Sequence, residues 1–198
     1  MNGSYYPQRL AVSYGWDLPF GHPEGFKGKL VNGWNLSGVT ILQDGLPLTI
    51  SDTRGGTIYG SASTSRAQFC AGMGPVNVAT PGGVEARLGG ATGGPGYLNK
   101  AAFCPTPVIG NGTDYGNSGI SILLGPGQFN WDAALVKTTK VGGLREDATL
   151  QFRTEFFNVF NHAQFSNPAT NVALGNFGQI TSTSVNPRLM QFALKYAF

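Results

Sequence analysis

Strict period-two alternation, scarce charge and unevenly spaced turns predict an all-β chain. The fold class expected is about five antiparallel strands of a partial transmembrane β-barrel, with long external loops. Charged residues are only 12% of the 198 residues, against roughly 25% for a typical soluble domain. Aromatics also reach 12%, and glycine occurs 30 times. So few charges cover a water-facing surface poorly. Yet no apolar run approaches the roughly 18 residues that a spanning helix needs, which leaves strands as the spanning element.

The strands are justified in chain order. Over 9–17, Leu10, Val12, Tyr14 and Trp16 alternate with Ala11, Ser13 and Gly15. Over 28–43, Trp34, Leu36 and Leu42 oppose Asn35, Ser37 and Gln43, with weaker contrast in the middle. Over 129–141, Trp131, Ala133 and Leu135 oppose Asn130, Asp132 and Ala134. Over 149–160, Leu150, Phe152, Thr154 and Phe156 share one face, and Gln151, Arg153 and Glu155 the other. The last strand, 188–198, is the clearest: Met190, Phe192, Leu194, Tyr196 and Phe198 alternate with Gln191, Ala193, Lys195 and Ala197. A helix would scatter those aromatics around its circumference. Alternation alone suits a soluble sandwich as well as a barrel, where the apolar face meets lipid and the polar face a lumen. Strand lengths of roughly 9–15 residues favour tilted membrane strands over the usual 5–6 of soluble sheets.

The connections carry the orientation. Leu18–Gly25 and Gly142–Asp147 are short turns rich in Gly, Pro and charge, whereas 46–128 and about 161–186 show little periodicity. Long segments without structure are uncommon in compact soluble domains; barrels place them outside and keep periplasmic turns short. If Phe198 ends at the periplasm, both long loops fall outside and both short turns inside.

Several functions lose support. The net charge is +3, but Lys27, Lys29, Lys137 and Lys140 form no basic patch interleaved with aromatics, which argues against nucleic acid. Cys70 and Cys104 have no second Cys or His at metal-ligand spacing. His22 and His162 lack a motif-supported serine and acid partner, so no catalytic set, metal site or cofactor is expected. The run Gly89–Gly96 follows no hydrophobic strand and precedes no helix pattern, so it reads as a flexible external loop rather than a phosphate loop. The sequons at Asn2, Asn35 and Asn111 carry little weight. The opening MNGSYYPQRL has no signal-peptide pattern, so an exported chain is expected to begin upstream or to have been processed.

Three stretches carry a family resemblance: Gly33-Trp-Asn-Leu-Ser-Gly38 with Gln43-Asp-Gly-Leu-Pro-Leu48; Gly127-Gln-Phe-Asn-Trp-Asp132; and Phe152-Arg-Thr-Glu-Phe-Phe-Asn-Val-Phe-Asn-His162. Together with the terminal alternating strand they resemble the last strands of TonB-dependent outer-membrane receptors. The likeness is closest to the Oar-like group, which carries a carboxypeptidase-regulatory-like domain at its N-terminus. It covers most of the chain outside about 52–125. The resemblance implies an energised importer of the Gram-negative outer membrane, in which a plug fills a barrel of roughly 22 strands and a TonB box couples opening to the proton gradient. These five strands would be its structural C-terminal wall. Partners implied are outer-membrane lipid, the remaining barrel and plug, the barrel-assembly machinery, and TonB through the missing N-terminal part.

On this reading Arg153 and Glu155 face the lumen, either touching plug or solute or simply solvating the wall. Trp16, Trp34, Trp131 and Tyr196 are girdle candidates, apolar rings with a polar tip suited to the headgroup zone; core packing is the alternative. Lys137 falls on the lipid face and is expected near the periplasmic interface, snorkelling. Cys70 and Cys104 lie in a loop that matures in an oxidising compartment and are expected to pair, the alternative being two free thiols. Phe192, Leu194, Tyr196 and Phe198 are expected to form an assembly signal; otherwise Phe198 is only the last lipid-facing residue. The competing functions are a secreted or surface β-rich binding or adhesion module, and a small outer-membrane enzyme or self-contained barrel, for which five strands are too few to close and no catalytic set is visible.

Overall fold

The computed structural model describes residues 8–20, 23–54, 57–58, 61–62, 65–82, 87–88, 96–106, 108–109, 112–113, 116–142 and 147–198. Its main feature is an open five-stranded sheet, ordered β1-β2-β3-β4-β5: β1 (Arg9–Asp17), β2 (Trp34–Gln43), β3 (Gln128–Lys140), β4 (Thr149–Phe157) and β5 (Leu189–Ala197). Both β3–β4 and β4–β5 are antiparallel. Leu18 N–H bonds to Trp34 O, and Asp44 N–H to Gln8 O, so β1 and β2 run oppositely as well. The sheet is all-β and antiparallel, and it does not close.

Register sorts the faces. Lys137 opposes Phe152, which opposes Leu194; Leu135 opposes Thr154, which opposes Phe192; Thr139 opposes Leu150, which opposes Tyr196. On the other face, Thr138, Gln151 and Lys195 form one row, and Ala134, Glu155 and Gln191 another. Directly opposed residues share a face, so the large apolar residues of three strands gather on one side.

Two strand limits need correction. The strand expected over 28–43 starts only at Trp34, because Gly25–Val31 forms a helix, α1. Phe26 and Leu30 are spaced i, i+4, a helical spacing. Gly33 then reverses the chain at φ 78°, a backbone region that suits glycine. The strand expected to reach about Phe160 stops at Phe157, because Asn158 (φ 53°) and Asn161 (φ 52°) are left-handed. Asn tolerates that conformation better than most residues.

The chain divides into two compact units. One comprises 9–42, 129–164 and 185–198, and holds the sheet. The other takes in the described residues of 43–128 and 165–184, which cover most of the segments 46–128 and about 161–186 expected to lack structure of their own. That expectation is overturned. Ile50, Ala67, Val78, Leu98, Ala102, Phe103, Val172 and Phe177 form one buried cluster drawn from both segments. Around it run two-residue ladders: Pro47–Leu48 with Leu123–Leu124, Ser51–Asp52 with Ser65–Arg66, and Gln68–Phe69 with Phe103–Cys104. Strands of two residues leave no readable period, which is why the pattern concealed them.

Candidate functional site

The apolar face has no cover over most of its area. Leu10, Trp16, Met190, Phe192 and Leu194 are between 52% and 68% exposed, far from the burial a soluble core would give them. Phe152 and Phe192 stack at 6.4 Å. Tyr14 reaches across Gly38 of the intervening strand, and the indole N–H of Trp131 donates to its hydroxyl. A Cβ at Gly38 would collide with the Tyr14 hydroxyl, so glycine is what lets the aromatic lie flat over the strand.

The girdle candidates occupy two ends of this face. Trp16 and Tyr196 are near the C-terminal ends of β1 and β5, and Trp34 opens β2, all at one edge of the sheet. Trp131 is near the start of β3, at the opposite edge, with Phe160 at 5.0 Å. Trp34 does not present a free N–H: the group donates to Leu30 O at 3.1 Å, tying the strand to α1.

Lys137 lies on the apolar face, one residue pair in from the row of Tyr196. Its ammonium is directed to the turn at this end of the sheet. It donates to Asn32 O at the end of α1 and lies 5.7 Å from the Trp34 ring centroid. Thr139 donates to Lys29 O at 3.2 Å. Thus α1 is held against the apolar face, where Phe26 is 76% and Leu30 57% exposed.

The polar face carries Arg153 and Glu155, joined by Nε–Oε1 at 2.8 Å. On the same face Asn35 donates to Asp17 at 2.7 Å, and Gln43 bonds Gln128. The half-exposed Arg153–Glu155 pair is of the kind that contributes little to stability.

Sequence reasoning missed the residues that close the edge beyond β4. The buried Asn158 accepts from His162 N–H at 3.0 Å and donates to His162 O and Asn186 O. Asp132 accepts from Asn158 N–H at 2.8 Å. Gln164 accepts from Phe129 N–H at 2.8 Å and donates to Phe129 O, so its amide replaces a strand partner. The signal available was the pair of asparagines bracketing Val159-Phe160. His162 contributes chiefly backbone groups and one ring contact, Nδ1 to Gln164 Nε2 at 2.9 Å.

In the other unit, Cys70 and Cys104 form a disulfide, with S–S 2.03 Å and Cα atoms 4.9 Å apart. Asp52, fully buried, receives Arg54 through Nε at 2.9 Å and Nη2 at 2.6 Å. Burial pushes this carboxyl up, but the hydrogen bonds and charge of Arg54 outweigh it and hold the pKa below the ordinary value. His22, Asn2, Asn111 and glycines 89–95 lie outside the described residues. Among the described residues, no group of three or more His, Cys, Asp or Glu gathers to hold a metal.

The family model for an outer membrane beta barrel domain matches residues 3–191. The chain belongs to that family. No curated protein and no solved structure matches it. In an outer-membrane barrel domain, the uncovered Phe/Leu/Trp face is the face that meets lipid, and the paired polar face lines the interior. The barrel domain therefore associates with membrane lipid and serves as barrel wall. The edge strands of its sheet are β1 and β5.

Proposed function

We propose that this barrel domain is the C-terminal wall of a TonB-dependent transporter in a Gram-negative outer membrane, structural and non-catalytic. The observation that carries the reading is the structured end of β4. The string Glu155-Phe-Phe-Asn-Val-Phe-Asn161, most specific to those receptors, is here the segment whose asparagines lock β3, β4 and the residues before β5 together. Further support comes from the open five-stranded sheet, since a wall of this size needs many more strands to enclose a plug. In the intact transporter the plug would contact the polar face around Arg153 and Glu155, and TonB would engage a box upstream. The test is capture of the periplasmic TonB domain by the intact, membrane-inserted protein. Binding that disappears when the upstream box is removed supports the reading; an inserted barrel that never binds TonB overturns it.

A further inference from the structure

A cavity of about 390 Å³ lies between the turn containing α1 and the last residues of β3. Three lysines line it, Lys29, Lys137 and Lys140, together with Thr138 and backbone of Pro23 and Gly33. Among the described residues that line it there is no carboxylate. Lys137 gives one proton to Asn32 O, and an ammonium has three. Two therefore remain for a ligand. Thr138 turns its hydroxyl to Gln151 on the other face of the sheet, so the ammonium groups are the donors on the lipid side. Ammonium donors beside one small cavity match an oxyanion with several acceptor oxygens.

The surroundings decide which oxyanion. Phe26 and Leu30 belong to the same helix α1 whose Gly25, Gly28 and Lys29 line the cavity, and are 76% and 57% exposed. Thr139 and Lys137, which hold α1, belong to the lipid-facing rows of the sheet. The cavity thus opens where the apolar face ends and a charged rim begins. A free inorganic anion has no use for the apolar side chains, whereas a lipid would lay its acyl chains along Phe26, Leu30 and the sheet. The lysine cluster at an apolar boundary is the arrangement by which membrane proteins hold anionic head groups.

We propose that the cavity between α1 and β3 binds the phosphate of a phospholipid in the leaflet at that edge of the sheet, with Lys29 and Lys137 as its ligands. This rests on the barrel reading, since only an inserted wall meets a leaflet. The test uses the intact protein in phosphatidylcholine nanodiscs with a small fraction of brominated phosphatidylglycerol, whose bromines quench nearby tryptophan. Trp34, beside Lys137, is the reporter. Quenching should exceed that from brominated diacylglycerol of the same chains, which lacks phosphate. The variant K29Q, at an exposed position, should weaken the preference about fivefold, the equivalent of about 1 kcal/mol per basic residue, whereas K140Q, on the polar face, should leave it unchanged. K137Q should weaken it more than K29Q does. Heat-modifiable migration checks that each variant is inserted. Inserted protein with equal quenching from both lipids overturns the proposal and leaves the barrel standing. Relief of quenching by millimolar inorganic phosphate in place of lipid would also overturn it, by assigning the site to a free anion. Failure of the wild type to insert overturns the barrel reading itself.

Discussion

Asp52 shows how one buried charge shapes pH behaviour. Its carboxyl is fully buried and held below the ordinary pKa by Arg54. A depressed carboxylate pKa contributes stability that is present above the unfolded value and lost as pH falls through the folded one. The stability advantage of wild type over R54Q should therefore be full at pH 5–7 and close below about pH 4, near the ordinary Asp value. Melting of the disulfide-containing unit, followed by hydrogen exchange from pH 7 to 2.5, measures it; a pH-independent difference would contradict the assignment. Asn158 is the second residue on which much depends. Its side chain makes three hydrogen bonds from a buried position, at φ 53°. Asn158→Ala removes them and keeps the strained backbone, which should cost about 2–3 kcal/mol. N158G relieves the backbone but not the hydrogen bonds, and should recover only part. Urea titration in detergent would separate the two.

At the scale of elements, the long connections behave as a small folded body. Cys70 and Cys104 staple the ladder of Gln68–Phe69 with Phe103–Cys104, where Phe69 stacks on Phe103 at 5.4 Å and Phe177 meets Phe103 edge-on at 5.8 Å. Replacing both cysteines with serine should reduce local stability by roughly 3–4 kcal/mol in the chain-entropy model. Limited proteolysis should then cut within 43–128 while the sheet stays protected. Equal resistance of the variant would show that the aromatic cluster suffices alone. The terminal strand invites a different test. β5 is an edge strand exposed along its whole length, with Phe192, Leu194 and Tyr196 on the lipid face and Phe198 following. We expect the assembly machinery to recognise it by strand addition. Deleting Phe198 should then abolish heat-modifiable barrel while leaving exported precursor. Loss of mere interfacial burial would cost only about 1–3 kcal/mol and leave barrel levels near normal.

For the whole molecule, the decisive property is an apolar face with no protein over most of it. Two unpaired edges and exposed Leu10, Trp16, Phe192 and Leu194 should make the 198-residue chain aggregate in plain buffer and partition into detergent or lipid. A monodisperse monomer that melts cooperatively without detergent would contradict the lipid-facing assignment.

Much of the wall could be read from residues alone, because period-two alternation writes the two faces of a long strand directly into the chain. Phe152 opposite Leu194 and Gln151 opposite Lys195 need only a register that keeps like with like. The turn around α1 was less legible, since seven residues hold barely two helical turns and Lys137 meets it from a strand distant in sequence. The unit built from 43–128 and 165–184 was not legible at all. Its core joins Ile50 and Leu98 to Val172 and Phe177, and its ladders are two residues long. Local sequence determines which way side chains point along a long strand; only tertiary contact decides which distant, aperiodic segments bury their few apolar residues together.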